Sequence, residues 1–257
     1  PGAVSRLADL VAGVTGSMPA EFVEFDSKVY FVAQTPEHGA ELFVYDGQSV
    51  TLAADIWPGA GSSAPSDLTV LNGTLYFFAN SVAYGRELFR LGVGGAELAA
   101  DVTPGTGGVA PSGLYAWDGR LYFSADDGTH GQELWRYNGT TATMVTDLYA
   151  GATGSQPCEL TGMGGYLYFV ARRSDVGVEL FRLYKTVELA ADIRPGTLGS
   201  YPQDLAVWND ALWFSATDGV NGRELWAFDG TNTYQREIVP GASGSNPAEF
   251  VAIRDKM

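Results

Sequence analysis

The chain has 257 residues, of which 46% are apolar and 18% charged, and its formal net charge is −15. So acidic a chain repels nucleic-acid phosphates and anionic membranes, which argues against both as partners. One cysteine and two histidines exclude an internal disulfide and argue against a zinc cluster. No apolar run is long enough to span a bilayer, so no membrane insertion is predicted.

An internal repeat of 45 or 46 residues runs along the whole chain, and each copy opens on an acidic residue followed by a loop with glycine and proline. The opening aspartates are Asp9, Asp55, Asp101, Asp147 and Asp192, and a sixth copy opens at Glu237. We predict one domain over residues 1–257, with repeat units at 9–54, 55–100, 101–146, 147–191 and 192–236 and a partial unit at 237–257.

The second unit shows the predicted elements in chain order. Residues 67–71 alternate in hydropathy and stop at Asn72-Gly73, a dipeptide typical of tight hairpins. Residues 74–79, 87–90 and 97–102 form the next three predicted strands. Four antiparallel strands in one repeat of this length make a propeller blade, so the sequence predicts an all-β fold, a β-propeller of four-stranded antiparallel blades.

The number of blades follows from the ends of the chain. Strands of the first type occur six times, whereas strands of the second and third types occur five times. Residues 21–23 and 249–251 match, as if one segment could replace the other. We prefer five blades, with six blades or a window of a longer array as the alternatives. Because the chain begins with Pro1-Gly2 and has no signal peptide, we expect a processed or excised piece of a longer product.

The third strands carry a motif that resembles a known family. The segment Glu224–Thr231 reads ELWAFDGT, and Glu133–Thr140 reads ELWRYNGT. These segments and the glycine-serine loop resemble the ELWxxDGT-repeat, hyalin-like bacterial proteins. The resemblance implies a secreted or surface-attached protein, located outside the cell, that functions in adhesion or carbohydrate binding. The five-bladed lectin tachylectin-2 is similar in architecture only.

Residues that recur in every unit are expected to be structural, because they meet the same environment each time. The large apolar positions predict an inter-blade core rather than a sugar platform; they are Tyr30, Tyr76, Tyr122, Tyr168 and Trp213 with Phe43, Phe89, Trp135, Phe181 and Trp226. A glutamate two residues after a glycine is expected to accept backbone N–H bonds from a turn; the set is Glu41, Glu87, Glu133, Glu179 and Glu224.

The five aspartates at the strand-to-loop junctions allow two interpretations. They can cap the loops through backbone hydrogen bonds. They can also bind calcium, which takes about six to eight oxygens from carboxylates and carbonyls. Calcium at Asp9, Asp55, Asp101, Asp147 and Asp192 is therefore the candidate cofactor, and no other is predicted.

Loop residues that differ between units are the candidate ligand contacts. Trp57 and Tyr149 would stack on a sugar ring, and Arg194 would bind a carboxylate. The variable residues near the glycine of the third strand complete the set: His38, Tyr84, His130 and Asn221.

No non-repeated constellation of catalytic residues is recognisable, so the sequence does not predict an enzyme. We predict a non-catalytic extracellular binding module that recognises carbohydrate or cell surfaces through its blade-edge loops. Its expected partner is a glycan or a cell-surface or extracellular protein. The alternative is a structural or protein–protein interaction propeller within a larger secreted or surface assembly. The oligomeric state stays open.

Overall fold

The computed structural model describes residues 5–13, 15–102 and 109–250, without the side chains of residues 109 and 110. These residues form twenty strands and no helix, so no helix among them could cross a membrane. The strands make five four-stranded sheets, named blades 1 to 5 in chain order. Strands that follow each other in the chain are neighbours in every sheet.

Each blade lies within one sequence repeat. Blade 1 contains β1 (Ala20–Phe25), β2 (Lys28–Thr35), β3 (Gly39–Tyr45) and β4 (Val50–Ala54). Blade 2 contains β5 (Ser66–Leu71), β6 (Thr74–Ser81), β7 (Gly85–Gly92) and β8 (Gly95–Ala100). Blade 3 contains β9 (Val109–Trp117), β10 (Arg120–Asp126), β11 (Glu133–Tyr137) and β12 (Ala142–Thr146). Blade 4 contains β13 (Cys158–Met163), β14 (Tyr166–Arg173), β15 (Gly177–Leu183) and β16 (Val187–Ala191). Blade 5 contains β17 (Gln203–Trp208), β18 (Ala211–Thr217), β19 (Arg223–Phe228) and β20 (Thr233–Arg236).

The first hairpin of blade 2 shows how the turn residues fix the register. Asn72 and Gly73 both have a positive φ, at 49° and 73°. Two successive left-handed residues twist the chain in the sense that suits antiparallel strands. Leu71 therefore pairs directly with Thr74, and the predicted all-β class with five four-stranded blades is confirmed.

The first strands of blades 1, 2, 4 and 5 begin with a bulge that the sequence did not predict. In blade 1 the register shifts between Ala20 and Val23, and Glu21 has a φ of 58°. Blades 2, 4 and 5 repeat the shift, with a positive φ at Asp67, Glu159 and Asp204. Bulges of this kind bend a strand and increase its twist.

The chain divides into two compact units, each with its own core. The first unit comprises Pro1–Leu121, Ala125–Gly128 and Arg136–Thr143. Its main core joins blade 1 to blade 2 through a cluster of buried residues, Tyr30, Leu42, Ala54, Leu75, Phe77, Ala79 and Phe89. Apolar side chains from two neighbouring sheets thus supply the stabilisation that neither sheet could achieve alone.

The second unit comprises Tyr122–Ser124, Thr129–Trp135 and Met144–Met257. Its core joins blade 4 to blade 5 through an equivalent cluster, which includes Tyr168, Leu180, Ile193, Leu212, Phe214, Trp226 and Phe228. The recurring aromatic residues are buried as predicted, with Trp213 only half-buried. Tyr30, Phe89, Tyr168 and Trp226 lie in these two inter-blade clusters, whereas Phe43 packs with Phe31 and Ala33 within blade 1.

Candidate functional site

A buried glutamate in the third strand of blade 1 holds the loop that leaves the fourth strand. Glu41 Oε2 accepts the N–H of Ile56 at 3.0 Å, and Oε1 accepts the N–H groups of Trp57 at 3.2 Å and Ser63 at 2.9 Å. The Ser63 hydroxyl donates to Oε2 at 2.5 Å. Glu41 and Ser63 are both 0% exposed, so the carboxylate is enclosed by its donors.

The same arrangement recurs along the chain. Glu133 and Glu179 each accept the loop amides and a serine hydroxyl, the latter at 2.5 Å in both blades. Glu224 does the same in blade 5, with its serine at 2.6 Å. Glu87 accepts the N–H of Val102 at 2.8 Å, and the sequence has Val109 at the position of the serine. The prediction that these glutamates accept backbone N–H bonds is confirmed.

A close glycine contact accompanies each of the described glutamate–serine pairs. A Cβ on Gly39 would lie 1.9 Å from the carbonyl oxygen of Gly61, so the third strand and the loop are in backbone contact there. Gly131, Gly177 and Gly222 make the equivalent approach to the loop glycines of their own blades. Because only glycine leaves room for this contact, glycine and glutamate together dock the loop.

Burial raises the pKa of Glu41, Glu133 and Glu179, although the serine hydroxyl and the loop amides act in the opposite direction. At Glu224 burial also acts to raise the pKa, but the Ser245 hydroxyl and the loop amides outweigh it and lower the pKa. Ser245 is only half-buried, whereas the serines of blades 1, 3 and 4 are fully buried, so the burial penalty is smaller in blade 5.

The junction aspartates occupy a different environment from the glutamates. Asp9, Asp55, Asp101, Asp147 and Asp192 are all exposed. Asp55 Oδ2 lies 3.1 Å from His38 Nδ1, and Asp9 forms an ion pair with Arg6 at 3.0 Å. The described residues contain no group of three or more His, Cys, Asp or Glu side chains that could hold a metal ion. The loop amides thus donate their hydrogen bonds to the glutamates. Calcium binding at the junction aspartates stays a prediction.

Several of the variable loop residues contact neighbouring residues of the chain. Trp57 lies across the loop, since a Cβ on Gly61 would meet its ring at 2.2 Å. Arg172 stacks over the Tyr149 ring at 5.1 Å, and Arg194 lies close to Gly219. Asn221 bonds through its backbone N–H and its side-chain amide to the Asp218 carboxylate.

Two cavities in the first unit gather other members of the predicted set. A cavity of about 660 Å³ lies between the end of β4 and the β6–β7 turn, and its lining includes Asp55, Ile56, Tyr84 and Phe89. A repeat-equivalent cavity of about 490 Å³ is lined by Leu10, Val11 and His38. Tyr84 and His38 therefore occupy matching places, whereas Trp57, Tyr149 and Arg194 line neither cavity. His130 is half-buried in blade 3.

Sequence reasoning missed the serine that completes the glutamate sites of blades 1, 3, 4 and 5. Its signal was present, because Ser63, Ser155, Ser200 and Ser245 recur at one place in the loop. Sequence reasoning likewise missed the cavities, because they form between two segments that approach each other only in the folded chain.

No protein-family model matches the chain, and no curated protein matches its sequence. Solved structures do match. Puromycin hydrolase superposes with a TM-score of 0.58 and 16% identity, over 96% of this chain and 41% of that one. A prolyl endopeptidase superposes with a TM-score of 0.56 and 13% identity, over 86% of this chain and 34% of that one. The β-propeller domain of the Trilobed protease from Pyrococcus furiosus superposes with a TM-score of 0.53 and 13% identity, over 84% of this chain and 68% of that one.

The fold is a β-propeller of five blades. This chain spans only about two-fifths of the length of puromycin hydrolase and a third of the length of the prolyl endopeptidase. At these identities the likeness establishes the fold alone. The resemblance to ELWxxDGT-repeat proteins, the extracellular location, the partners and the seven candidate ligand residues stay predictions.

The predicted carbohydrate- or surface-binding function is wrong, because the solved structures that match include a prolyl endopeptidase, puromycin hydrolase, a puromycin-hydrolysing peptidase and an acylaminoacyl peptidase. The physical reason for the error lies in the loops. Loop residues that suggested ligand contacts, such as Trp57 and Arg194, have backbone amides bound to a buried glutamate. Their variation between blades is compatible with a purely structural loop.

Proposed function

We propose that this chain is the non-catalytic propeller module of a peptidase-type protein and that it binds peptide segments. The observation that carries the proposal is the match with puromycin hydrolase, which covers 96% of this chain but only 41% of the hydrolase. Proteins of this kind combine a propeller with further chain. The prolyl endopeptidases among them were analysed for the role of inter-domain dynamics in catalysis and specificity.

The recurring carboxylates support a non-catalytic role for this part of the molecule. A glutamate beside a serine hydroxyl could suggest hydrolytic chemistry. Glu41 and Ser63 are both 0% exposed, however, and both oxygens of the carboxylate are occupied by loop donors. A substrate cannot reach Glu41 and Ser63 without unfolding the loop. The role of this pair is therefore to hold the loop against the third strand.

The cavity beside Tyr84 has the chemistry of a peptide contact. Its lining combines apolar side chains such as Ile56 and Phe89 with the Asp55 carboxylate, which is partly exposed and has Oδ2 3.1 Å from His38 Nδ1. Tyr84 is 40% exposed and supplies an aromatic face with a polar end. An apolar groove with one carboxylate suits a peptide with a free amino terminus or a basic side chain.

The test combines hydrolysis and binding measurements on the purified chain. With fluorogenic aminoacyl and prolyl substrates we expect no hydrolysis. With a short fluorescein-labelled peptide that carries a free amino terminus, we expect saturable binding by fluorescence anisotropy. Tyr84→Ala weakens this binding several-fold, whereas Tyr184→Ala, which removes a ring that is 62% exposed in blade 4, leaves it unchanged.

Three results would overturn the proposal. The first is hydrolysis by the purified chain, which would make it an enzyme. The second is the absence of peptide binding. The third is tight, specific binding on a glycan panel, which would restore the carbohydrate-binding function.

A further inference from the structure

The turns between the third and fourth strands of blades 1, 3 and 5 share one geometry. Each begins with an aspartate or an asparagine followed by glycine, as Asp46-Gly47, Asn138-Gly139 and Asp229-Gly230. The three glycines have nearly the same φ, at 95°, 97° and 96°. In each turn the backbone N–H of the first residue donates to the carbonyl oxygen three residues later, at 3.3 Å, 3.2 Å and 3.2 Å. The turns therefore differ mainly in whether their first side chain is a carboxylate or an amide.

In blades 1 and 5 this turn holds a carboxylate with two backbone N–H groups. Asp46 Oδ1 accepts the N–H groups two and three residues later at 2.9 Å and 2.8 Å, and Asp229 Oδ1 does the same at 2.9 Å and 2.7 Å. The N–H of Ser49 is the main cause that lowers the pKa of Asp46. The N–H of Asn232, followed by the Tyr234 hydroxyl, lowers the pKa of Asp229 to about 2. The turn thus favours a negative charge on its first side chain.

Blade 3 places an amide in the same position. Asn138 Oδ1 accepts the N–H groups of Thr140 and Thr141, each at 2.9 Å. Asn138 and Gly139 are both exposed. Apart from the two chain neighbours of Gly139, no atom of a described residue lies within 4 Å of the place that its Cβ would occupy. The backbone nitrogen of Gly139 is therefore unshielded beside an amide whose oxygen already faces two donors.

We propose that Asn138 is a site of spontaneous deamidation and that its turn directs the reaction to aspartate. The backbone nitrogen of Gly139 attacks Cγ of Asn138 and loses its proton, and Nδ2 leaves as ammonia, which closes a succinimide ring. Water then adds to one of the two ring carbonyls. Addition at Cγ returns the ring nitrogen to an N–H group and yields aspartate, whereas addition at the main-chain carbonyl yields isoaspartate. The net reaction consumes one water and releases one ammonia, with no oxidation or reduction.

The N–H groups of Thr140 and Thr141 act at both steps. Negative charge develops on Oδ1 when Cγ is attacked, first by the Gly139 nitrogen and then by water. Donors that already point at this oxygen stabilise the charge, as in an oxyanion hole. Water addition at Cγ is therefore favoured, and the aspartate keeps both hydrogen bonds, as the carboxylates of blades 1 and 5 do. This inference goes beyond the proposed function and does not rest on it.

Peptide mapping by mass spectrometry tests the proposal on the folded chain, after incubation at mildly alkaline pH in water enriched in a heavy oxygen isotope. The label marks conversion that precedes digestion, and electron-transfer fragmentation distinguishes aspartate from isoaspartate. Asn72-Gly73 is the internal control, because it has the same dipeptide in a two-residue turn where Leu71 pairs directly with Thr74. We expect Asn138 to convert several-fold faster than Asn72, and mainly to aspartate.

A second internal control is Asn221-Gly222. The amide nitrogen of Asn221 donates to Asp218 Oδ2 at 2.9 Å, and a Cβ on Gly222 would lie 2.4 Å from the Gly244 nitrogen. We expect these contacts to protect Asn221 in the folded chain. In the chain unfolded in urea, all three asparagines convert at similar rates and to the same mixture of products. Conversion of Asn138 in the folded chain that is no faster than at the controls, or that gives the mixture of the unfolded chain, overturns the proposal.

The variant Asn138→Asp supplies the product directly. The two N–H groups lower the pKa of the new carboxylate, so its pH-dependent contribution to stability is present above the unfolded-state pKa and is lost as pH falls through the folded value. We expect a higher melting temperature than wild type at neutral pH. Asn72→Asp adds the same charge in the other turn and does not raise the melting temperature. Equal melting temperatures for the two variants would contradict the claim that the turn retains the aspartate.

Discussion

At the scale of single residues, the chain uses two kinds of acidic side chain near each loop for different purposes. Glu41 is buried and accepts four hydrogen bonds from the loop, whereas Asp55 is exposed beside His38. The longer glutamate reaches from the third strand under the loop. The aspartate, at the end of the fourth strand, remains at the surface.

Replacing Glu41 by glutamine destabilises the fold. An amide has only one acceptor oxygen, so at least one of the buried N–H groups of Ile56, Trp57 and Ser63 loses its partner. An orphaned buried donor costs about 1–3 kcal/mol. Urea unfolding at neutral pH measures this loss. Glu37→Gln makes the same chemical change at an exposed position and alters the free energy of unfolding by less than about 0.5 kcal/mol.

The effect of this change depends on pH, with opposite signs in blades 1 and 5. The pKa of Glu41 is raised, so the pH-dependent part of its contribution to stability is fully present below the unfolded-state pKa of about 4.5 and falls as pH rises through the folded value. The hydrogen bonds to the loop amides are a separate contribution that persists at neutral pH. The pKa of Glu224 is lowered, so its contribution is present above about 4.5 and is lost as pH falls through the folded value. Equal pH slopes for Glu41→Gln and Glu224→Gln would contradict this account.

At the scale of elements, the third strand of a blade and the loop after its fourth strand are joined by the glutamate–serine pair. The number of residues between that glutamate and serine differs between blades, and the difference lies in the segment between the two residues. Glu179 and its serine are 21 residues apart, compared with 22 in blade 1. In blade 4 the missing residue comes from the β15–β16 turn. In blade 5 the β19–β20 pairing lacks the bulge that β3–β4 has at this place.

Substituting alanine for Gly39 disrupts this unit. Gly39 has a φ of +64°, and its Cβ would meet the Gly61 carbonyl. Gly47→Ala is the matched control, because Gly47 also has a positive φ but has open space around it. The control carries only the backbone strain of about 1–2 kcal/mol. Gly39→Ala adds a steric penalty of about 1–3 kcal/mol, measured as a further fall in the free energy of unfolding. Equal losses would show that the contact contributes nothing.

At the scale of the whole molecule, the chain carries 30 acidic and 15 basic side chains. Such an excess of negative charge could be stabilised by a bound cation. The loop amides are already bound by the glutamates, however, and the junction aspartates stand in separate repeats.

We therefore expect the melting temperature to be the same in calcium chloride and in EDTA. A ligand that binds only the folded chain would raise it. Differential scanning calorimetry makes the comparison, with Asp55→Asn as the test variant and Asp118→Asn in the β9–β10 turn as its control. A rise in calcium that only Asp55→Asn abolishes would establish a metal site.

The sequence predicted the blades because the information is local and repeated. Asn72-Gly73 fixes a hairpin. The run of apolar residues that follows forms β6, which is buried over five successive residues, Leu75–Ala79. The sequence also predicted that Glu41 would bind a neighbouring turn, since a carboxylate that recurs beside a glycine needs donors. It could not predict which loop residues meet in a cavity. Asp55 and Tyr84 are 29 residues apart, and only the packing of blade 1 against blade 2 brings them together.

The loop from Asp55 to Pro65 has one further consequence. Exposed segments rich in glycine and proline are usual points of proteolytic entry. Here the amides of Ile56, Trp57 and Ser63 are held by a carboxylate in another strand, so a protease could not draw the loop into its cleft without detaching strand β4. A chain with such junctions resists nicking between its blades.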